Sequence, residues 1–315
     1  MVVVYILVVV IIVVLLIFKK LRRKLILVEL FPKDVPEEHD SRGSLKLLTY
    51  NIAGLPQGIS AAKLPRRISI AEIGEKVLGY DIVNVQEDFN YNTAFYSLNK
   101  HPYRTDHKGK IPIGDGLNTL SNYPIVSYRR IPWRHCSGPD CWTVKGFTYA
   151  QIQVDQHVII DIYNVHANSS DVARAARARR ENLRQLANYI LENSADRPII
   201  VMGDFNAHYA YKRDNLHEFL LTTGLSDGWV QFLQKGVFPE IKPKFVALHM
   251  LSLTNETESL DKIFFRGNKQ LRFTPSAYEV EIEHFTNTTG QALSDHLAVS
   301  LTLDWEWTGA EVPSV

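Results

Sequence analysis

Several apolar runs in this chain end in groups that can do chemistry. Ile199-Ile200-Val201-Met202 stops at Gly203 and delivers a carboxylate and an amide, Asp204 and Asn206; Ser294-Asp295-His296 sets a carboxylate beside an imidazole. Asn51, Glu87, His166 and Asp261 stand at four more such ends. One polar residue in such a place is ordinarily a turn former or a cap. Six run ends that all carry carboxylate, amide or imidazole point instead to one site built along one edge of a sheet structure.

Carboxylate and amide oxygens without cysteine ligands suit a hard cation that keeps part of its water shell, Mg²⁺ before Zn²⁺, with Mn²⁺ as the alternative. Two histidines, each with a carboxylate or amide near it in sequence, can supply a general base and a proton donor or phosphate stabiliser. No Gly-rich phosphate loop of the Walker type occurs, and neither Cys136 nor Cys141 has a catalytic partner in sequence. Metal-assisted attack of water on a phosphoester is the natural reading.

Such groups need strands to hold them. Residues 45–52, 81–87, 116–121, 125–132, 145–154, 157–166, 199–203, 260–265 and 296–303 read as strands, and 66–78 and 171–191 as helices. In the longer helix Asp171 is a plausible cap, and Val172, Ala176, Leu183, Leu186, Ala187 and Ile190 face inward. Adjacent runs look like hairpins, so the sheets should be mixed. The expectation is an α/β fold of two packed sheets with helices outside.

The 315 residues carry a formal charge of +1, but five of the 35 basic residues fall within the first 24, which contain no acid. The remaining chain has 30 basic against 34 acidic residues, near −4, so a strongly basic face for duplex binding is not indicated. Residues 2–18 are uncharged and apolar, and at ~1.5 Å per residue they would reach about 25 Å as a helix. Basic residues follow this run rather than precede it, and no small-x-small cleavage site comes next. It therefore reads as a retained single-pass transmembrane anchor rather than a signal peptide. The expected organisation is an anchor with its basic flank over 1–24, a juxtamembrane linker over 25–44, one domain over 45–306 and a tail over 307–315. Sidedness stays open: the basic flank favours a cytosolic domain, whereas three glycosylation sequons, at Asn168, Asn255 and Asn287, favour the opposite. Cys136 and Cys141 are either a small disulfide loop or two free thiols.

Tyr50-Asn51, Gln86-Glu87, Asn164-Val165-His166, Gly203-Asp204-Phe205-Asn206, Ser259-Leu260-Asp261 and Ser294-Asp295-His296 occur in an order that resembles the endonuclease/exonuclease/phosphatase superfamily, whose fold is that of pancreatic deoxyribonuclease. The resemblance covers residues 45–304 and implies a four-layer α/β/β/α sandwich with two central mixed β-sheets. Carried over, it implies that Glu87 is the principal Mg²⁺ ligand with Asn51 beside it and Asp295 next to the metal. It further implies that Asp204 and Asn206 hold and polarise the scissile phosphate and the water. His296 would be the general base, oriented by Asp261, and His166 would bind phosphate or protonate the leaving group.

The same site cleaves nucleic acids, inositol phosphates and sphingomyelin, so substrate needs another signal. Asp140-Cys141-Trp142-Thr143-Val144-Lys145-Gly146 resembles the Asp-x-x-x-x-Lys-Gly segment of the neutral sphingomyelinase branch. Lys145 at the mouth of the site could contact a lipid phosphate, with Trp133, Trp142 and Phe147 meeting an interface. Equally, the segment is a turn entering a strand, with Lys145 solvated and Phe147 in the core. The arginines at 174, 177, 179, 180 and 184 read as a solvated helix face, with nucleic acid or anionic headgroups as the alternative partner. Residues 207–258, with Trp229, Phe232, Phe238 and Phe245, are where substrate selection is expected to be encoded. The expected partners are a membrane and a phospholipid or other phosphoester, and the chain is expected to be a monomer.

Overall fold

A computed structural model describes residues 5–14, 26–28 and 40–308. Among them, one sheet runs in the order β1-β6-β7-β8-β9-β11-β10: β1 (Ile26–Val28), β6 (Ile125–Pro132), β7 (Gly146–Asp155), β8 (Val158–His166), β9 (Ile199–Asp204), β11 (Asp261–Arg266) and β10 (Ser226–Asp227). The other runs β12-β13-β2-β3-β5-β4: β12 (Leu271–Glu281), β13 (Ala298–Trp307), β2 (Arg42–Asn51), β3 (Ile82–Gln86), β5 (Asn118–Ser121) and β4 (Tyr103–Arg104). Both sheets are mixed, with β8–β9 and β2–β3 the parallel pairs.

Strand parity decides what each residue meets. Along β2, Leu45 and Leu47 enter the core between the sheets, whereas Leu48 and Tyr50 pack under α1 (Arg66–Lys76) with Ile70 and Ile73. α2 (Asn92–Leu98) adds Phe95 to that outer layer. α3 (Ala173–Asn193) covers the far face of the first sheet, where Tyr189 meets Tyr149 and Tyr163 at 6.0 and 6.2 Å between ring centroids. The result is the helix, sheet, sheet, helix layering expected from the sequence.

The inward parity that places Leu47 between the sheets also places Thr49 and Asn51 there, and in β3 it does so for Asn84 and Gln86. Buried polar residues must be paired, and here they pair across the sheets. Asn84 donates to the Tyr163 and Met202 carbonyls at 2.9 and 3.3 Å, Gln86 to Asn164 Oδ1 at 2.8 Å, and Asn164 to the Val85 carbonyl at 3.0 Å. This layer fixes the register of the two sheets just below the edge where their strands end.

Three sequence expectations change. First, the transmembrane helix, and with it the single-pass membrane location, is corrected: among the described residues no helix is long and apolar enough to cross a membrane. Within the apolar run, residues 5–14 are helical. Ten residues at ~1.5 Å each reach about half of a ~30 Å hydrocarbon core. The rest of the run and the basic cluster at 19–24 lie outside the described residues, as does the expected tail from 309 on. Second, strand structure enters the segment expected to be a linker: β2 begins at Arg42, and β1 pairs antiparallel with β6. Third, β12 was not legible. Its alternating exposure and Pro275, which sits at a register shift against β13, are what an edge strand tolerates.

Candidate active site

Asn51, Glu87, His166 and Asp204 come from the C-terminal ends of β2, β3, β8 and β9, and Asp261 begins β11, which pairs with β9 so that Asp261 faces Asp204. Asp295 and His296 immediately precede β13. Parallel pairing within β2–β3 and β8–β9 is what brings four C-terminal ends to one edge.

At this edge the side chains touch. The Asn51 amide donates to Glu87 Oε1 at 3.3 Å and to Asp204 Oδ2 at 3.2 Å. His166 Nε2 lies 3.5 Å from Asp204 Oδ2. His296 Nδ1 lies 2.8 Å from Asp261 Oδ2, and its Nε2 is 4.0 Å from Asp204 Oδ2. Asn206 folds back, its backbone N–H donating to Asp204 Oδ1 at 2.9 Å and its side chain to the Ala167 carbonyl at 3.2 Å. Glu87 and Asn206 both adopt left-handed backbone, at φ 60° and 50°, a conformation that non-glycine residues hold only when the surroundings impose it. For Glu87 one constraint is visible: the Glu87 carbonyl lies 2.1 Å from where a Cβ on Gly54 would sit, so only glycine allows this approach.

The electrostatics follow from burial plus crowding of charge. Burial raises the pKa of Glu87, and Asp295 adds to this, against the lowering pull of Lys145, His296 and the Asn51 hydrogen bond. Asp204 is pushed up to about 6 by burial and by Asp261. Burial, then the charges of Lys145 and His296, hold His166 well below its ordinary value, so its imidazole is neutral at pH 7. For His296, burial acts downward but is outweighed by Asp261, Asp204 and Asp295, which raise it to about 10.

Two orphaned atoms show what the site lacks. The buried Asp261 Oδ1 and His166 Nδ1 have no hydrogen-bond partner. Ligand atoms of Asp204, Asp261 and His296 lie within 4.8 Å of one another, a set able to hold a metal ion. Glu87 accepts from the Asn51 amide and is repelled by the Asp295 carboxylate, a second oxygen-rich position. Both fit a divalent cation, which would offset the carboxylate repulsion.

Lys145 is not solvated. It is 6% exposed, its ammonium 2.8 Å from Asp140 Oδ1, and its charge acts on Glu87, His166 and Asp204. Asp140 is held in turn by the Ser169 backbone N–H and hydroxyl at 2.6 and 2.9 Å. Cys136 and Cys141 form a disulfide, which settles that alternative. Trp133 and Phe147 belong to the core, with Trp133 Nε1 donating to the His166 carbonyl at 2.7 Å, whereas Trp142 is exposed. The arginine face is mixed: Arg179 is buried on Asp214 and Arg184 meets Glu181 and Glu218, whereas Arg174 and Arg177 are exposed. Asp171 makes no cap hydrogen bond; Val172 occupies the cap position.

One site residue escaped the sequence reading. Arg66, fully buried at the start of α1, donates to the carbonyls of Ile52, Ala53 and Leu293 at 2.7, 3.0 and 2.8 Å. It thereby ties the segment after Asn51 to the one before Asp295. In sequence it is an ordinary helix-start arginine after Pro65, next to Arg67, with nothing to mark it as buried.

Comparison with known proteins supports this picture. The chain is 38% identical over 276 residues to a sphingomyelinase of Mycobacterium tuberculosis and to one of Mycobacterium bovis, covering 85% of this chain and 54% of each relative. It thus spans about half the length of those relatives. Among solved structures, sphingomyelinase C from Streptomyces griseocarneus superposes with a TM-score of 0.56 at 22% identity, covering 82% of this chain and 99% of that one. A mutant beta toxin from Staphylococcus aureus with bound magnesium ions gives 0.55 at 18%, covering 82% and 99%. At these identities the likeness speaks for the fold. Residues 48–296, which contain every site residue described above, match the Endonuclease/Exonuclease/phosphatase family, and the chain belongs to that family.

Proposed function

We propose that this chain is a Mg²⁺-dependent phosphodiesterase that hydrolyses a sphingomyelin-like phospholipid. The observation that carries the reading is the meeting of Asn51, Glu87, His166, Asp204, Asp261 and His296 at one sheet edge, with the buried Lys145 ammonium beside them. Three carboxylates and an amide around a pair of imidazoles, with Asp295 and Asn206 adjoining, are groups suited to metal-assisted phosphoester hydrolysis. The relatives named as sphingomyelinases support the substrate class.

Glu87, Asn51 and Asp295 would hold the metal, with Mn²⁺ as a substitute. Bound there, Mg²⁺ would act as a Lewis acid on a phosphoryl oxygen and offset the carboxylate charge. Asp261 orients the His296 ring through Nδ1, leaving Nε2 on the Asp204 side to take the proton of the attacking water. Asp204 and Asn206 position that water and the phosphate. The neutral His166 donates an N–H to a phosphoryl oxygen, and Lys145 stabilises charge developing in the transition state.

The test offers the full chain sphingomyelin, a lysophospholipid, inositol phosphates and plasmid DNA in parallel, with EDTA, Mg²⁺ or Mn²⁺. Release of phosphocholine, restored by Mg²⁺ after EDTA, is expected. Cleavage of DNA without lipid turnover would replace this reading with a nuclease.

A further inference from the structure

The segments that leave the catalytic edge build a cavity of about 410 Å³, within the ~300–1,000 Å³ of small-molecule sites. His208, which lines it, is two residues past Asn206, at most about 7 Å along an extended chain. Glu258, on another wall, is three residues before Asp261. The Tyr209 N–H donates to Glu258 Oε1 at 2.6 Å and stitches these walls together.

The lining sets an aromatic wall against a polar side, Gln234, Lys242, Glu256 and Thr257, and so fits an amphiphilic occupant. Trp229, Phe238 and Phe245 form its aromatic wall, and Val237, Val246 and Leu248 its rim, 68%, 85% and 55% exposed. Glu258 is already paired with Lys262 at 2.9 Å, so it offers no free charge to a ligand. His208 is different: it is more than nine-tenths buried, Glu258 Oε2 stands 3.6 Å from Nδ1, and neither ring nitrogen has a hydrogen-bond partner. With Glu258 facing Nδ1, the buried Nε2 is left without a partner, which is costly, and a hydroxyl or amide at the head of an apolar chain would satisfy it.

We propose that this cavity binds the alkyl chain of the phosphodiester's alcohol, with His208 meeting a hydrogen-bonding group next to the phosphate. The proposal rests on the phosphodiesterase reading and adds to it the subsite that selects an amphiphilic substrate. Its wall residues His208 and Glu258 lie two and three residues along the chain from Asn206 and Asp261, so a chain leaving the phosphate has a short path to it.

The test is a chain-length series of choline phosphodiesters below their micelle concentrations, with the full chain and with the rim variant Val246→Asp/Leu248→Asp. For the wild type, kcat/KM should rise with length, by up to about fourfold per methylene while the cavity fills. The variant should lose that slope, by tenfold or more on the long esters, yet stay within twofold on the methyl ester. His208→Phe should lower kcat/KM only for esters bearing a hydroxyl or amide next to the phosphate. A wild type indifferent to chain length, or a variant that keeps the slope, overturns the proposal.

A binding arm separates this from failure of the parent reading. Calorimetry on His296→Ala should show dodecylphosphocholine binding at least tenfold more tightly than phosphocholine, with the preference gone in the rim variant. That preference without hydrolysis of any phosphodiester would refute the parent reading and leave the cavity assigned. Absence of the preference, or a dimer that the rim variant dissociates, overturns the cavity assignment.

Discussion

The His296 imidazole is held by Asp261, Nδ1 to Oδ2 at 2.8 Å, from the buried start of β11. One consequence concerns protonation. Burial alone would lower the His296 pKa, but Asp261, Asp204 and Asp295 raise it to about 10. A folded pKa above the unfolded ~6.5 means that this group's contribution to stability is complete below pH 6.5 and is lost as pH rises through about 10. In EDTA, the His296 ring resonance should therefore titrate near 10, and thermal stability should decline between pH 7 and 10. Asp261→Asn should bring the midpoint down by at least about one unit and flatten that decline. Added Mg²⁺ should also lower the midpoint, freeing Nε2 to accept a proton at neutral pH. A wild-type midpoint near 6.5 would remove Asp261 from its assigned role.

The carboxylates make a second prediction, in which activity and stability move in opposite directions. Burial raises the pKa of both Glu87 and Asp204, so each ionised form is disfavoured in the metal-free fold. Each contributes stability in its protonated form, which is lost as pH rises through its folded value, about 6 for Asp204. Glu87→Gln and Asp204→Asn remove that charge and keep an oxygen able to accept from Asn51, although at 204 the atom that accepts the Asn206 N–H becomes a donor, so the gain there is the smaller. Each should abolish Mg²⁺-dependent hydrolysis while making the metal-free protein more stable at pH 7. Denaturant melts in EDTA measure this. A drop in stability for both variants would mean that the carboxylates serve the fold rather than a cation.

What the sequence made legible follows from where polarity sits. Asp204 and His166 could be read because each ends an apolar strand, and a polar group there has few structural uses. Asn84 and Asn164 lie inside strands and Gln86 ends one, and alternation makes such polar residues look solvent-facing. Only the second sheet, packed against the first, shows that they are buried and paired. Lys145 was ambiguous for the same reason: its meaning depends on Asp140 and on Glu87, the latter 58 residues away in sequence. At the N-terminus, composition measured apolarity but not helix length, and among the described residues no helix is long and apolar enough to cross a membrane.

Arg66 supplies the last prediction. Its guanidinium joins the Ile52, Ala53 and Leu293 carbonyls, and these flank Asn51 on one side and Ser294-Asp295-His296 on the other. The Ser294 hydroxyl completes the tie by donating to the Asn51 carbonyl at 2.7 Å. Lysine cannot reach three carbonyls from one planar head, and each buried carbonyl left unpaired costs ~1–3 kcal/mol. Arg66→Lys should therefore destabilise the protein and, at a temperature where it is still fully folded, also lower kcat and weaken Mg²⁺ binding by about tenfold or more. Arg266 is the control. At the far end of β11 it is anchored on the Ser194 carbonyl at 2.5 Å, remote from the catalytic edge. Arg266→Lys should cost stability and leave kcat and metal affinity unchanged. If the two variants behave alike, Arg66 is a fold residue only; if they part, its three hydrogen bonds hold the metal side and the proton-taking side of the site in one geometry.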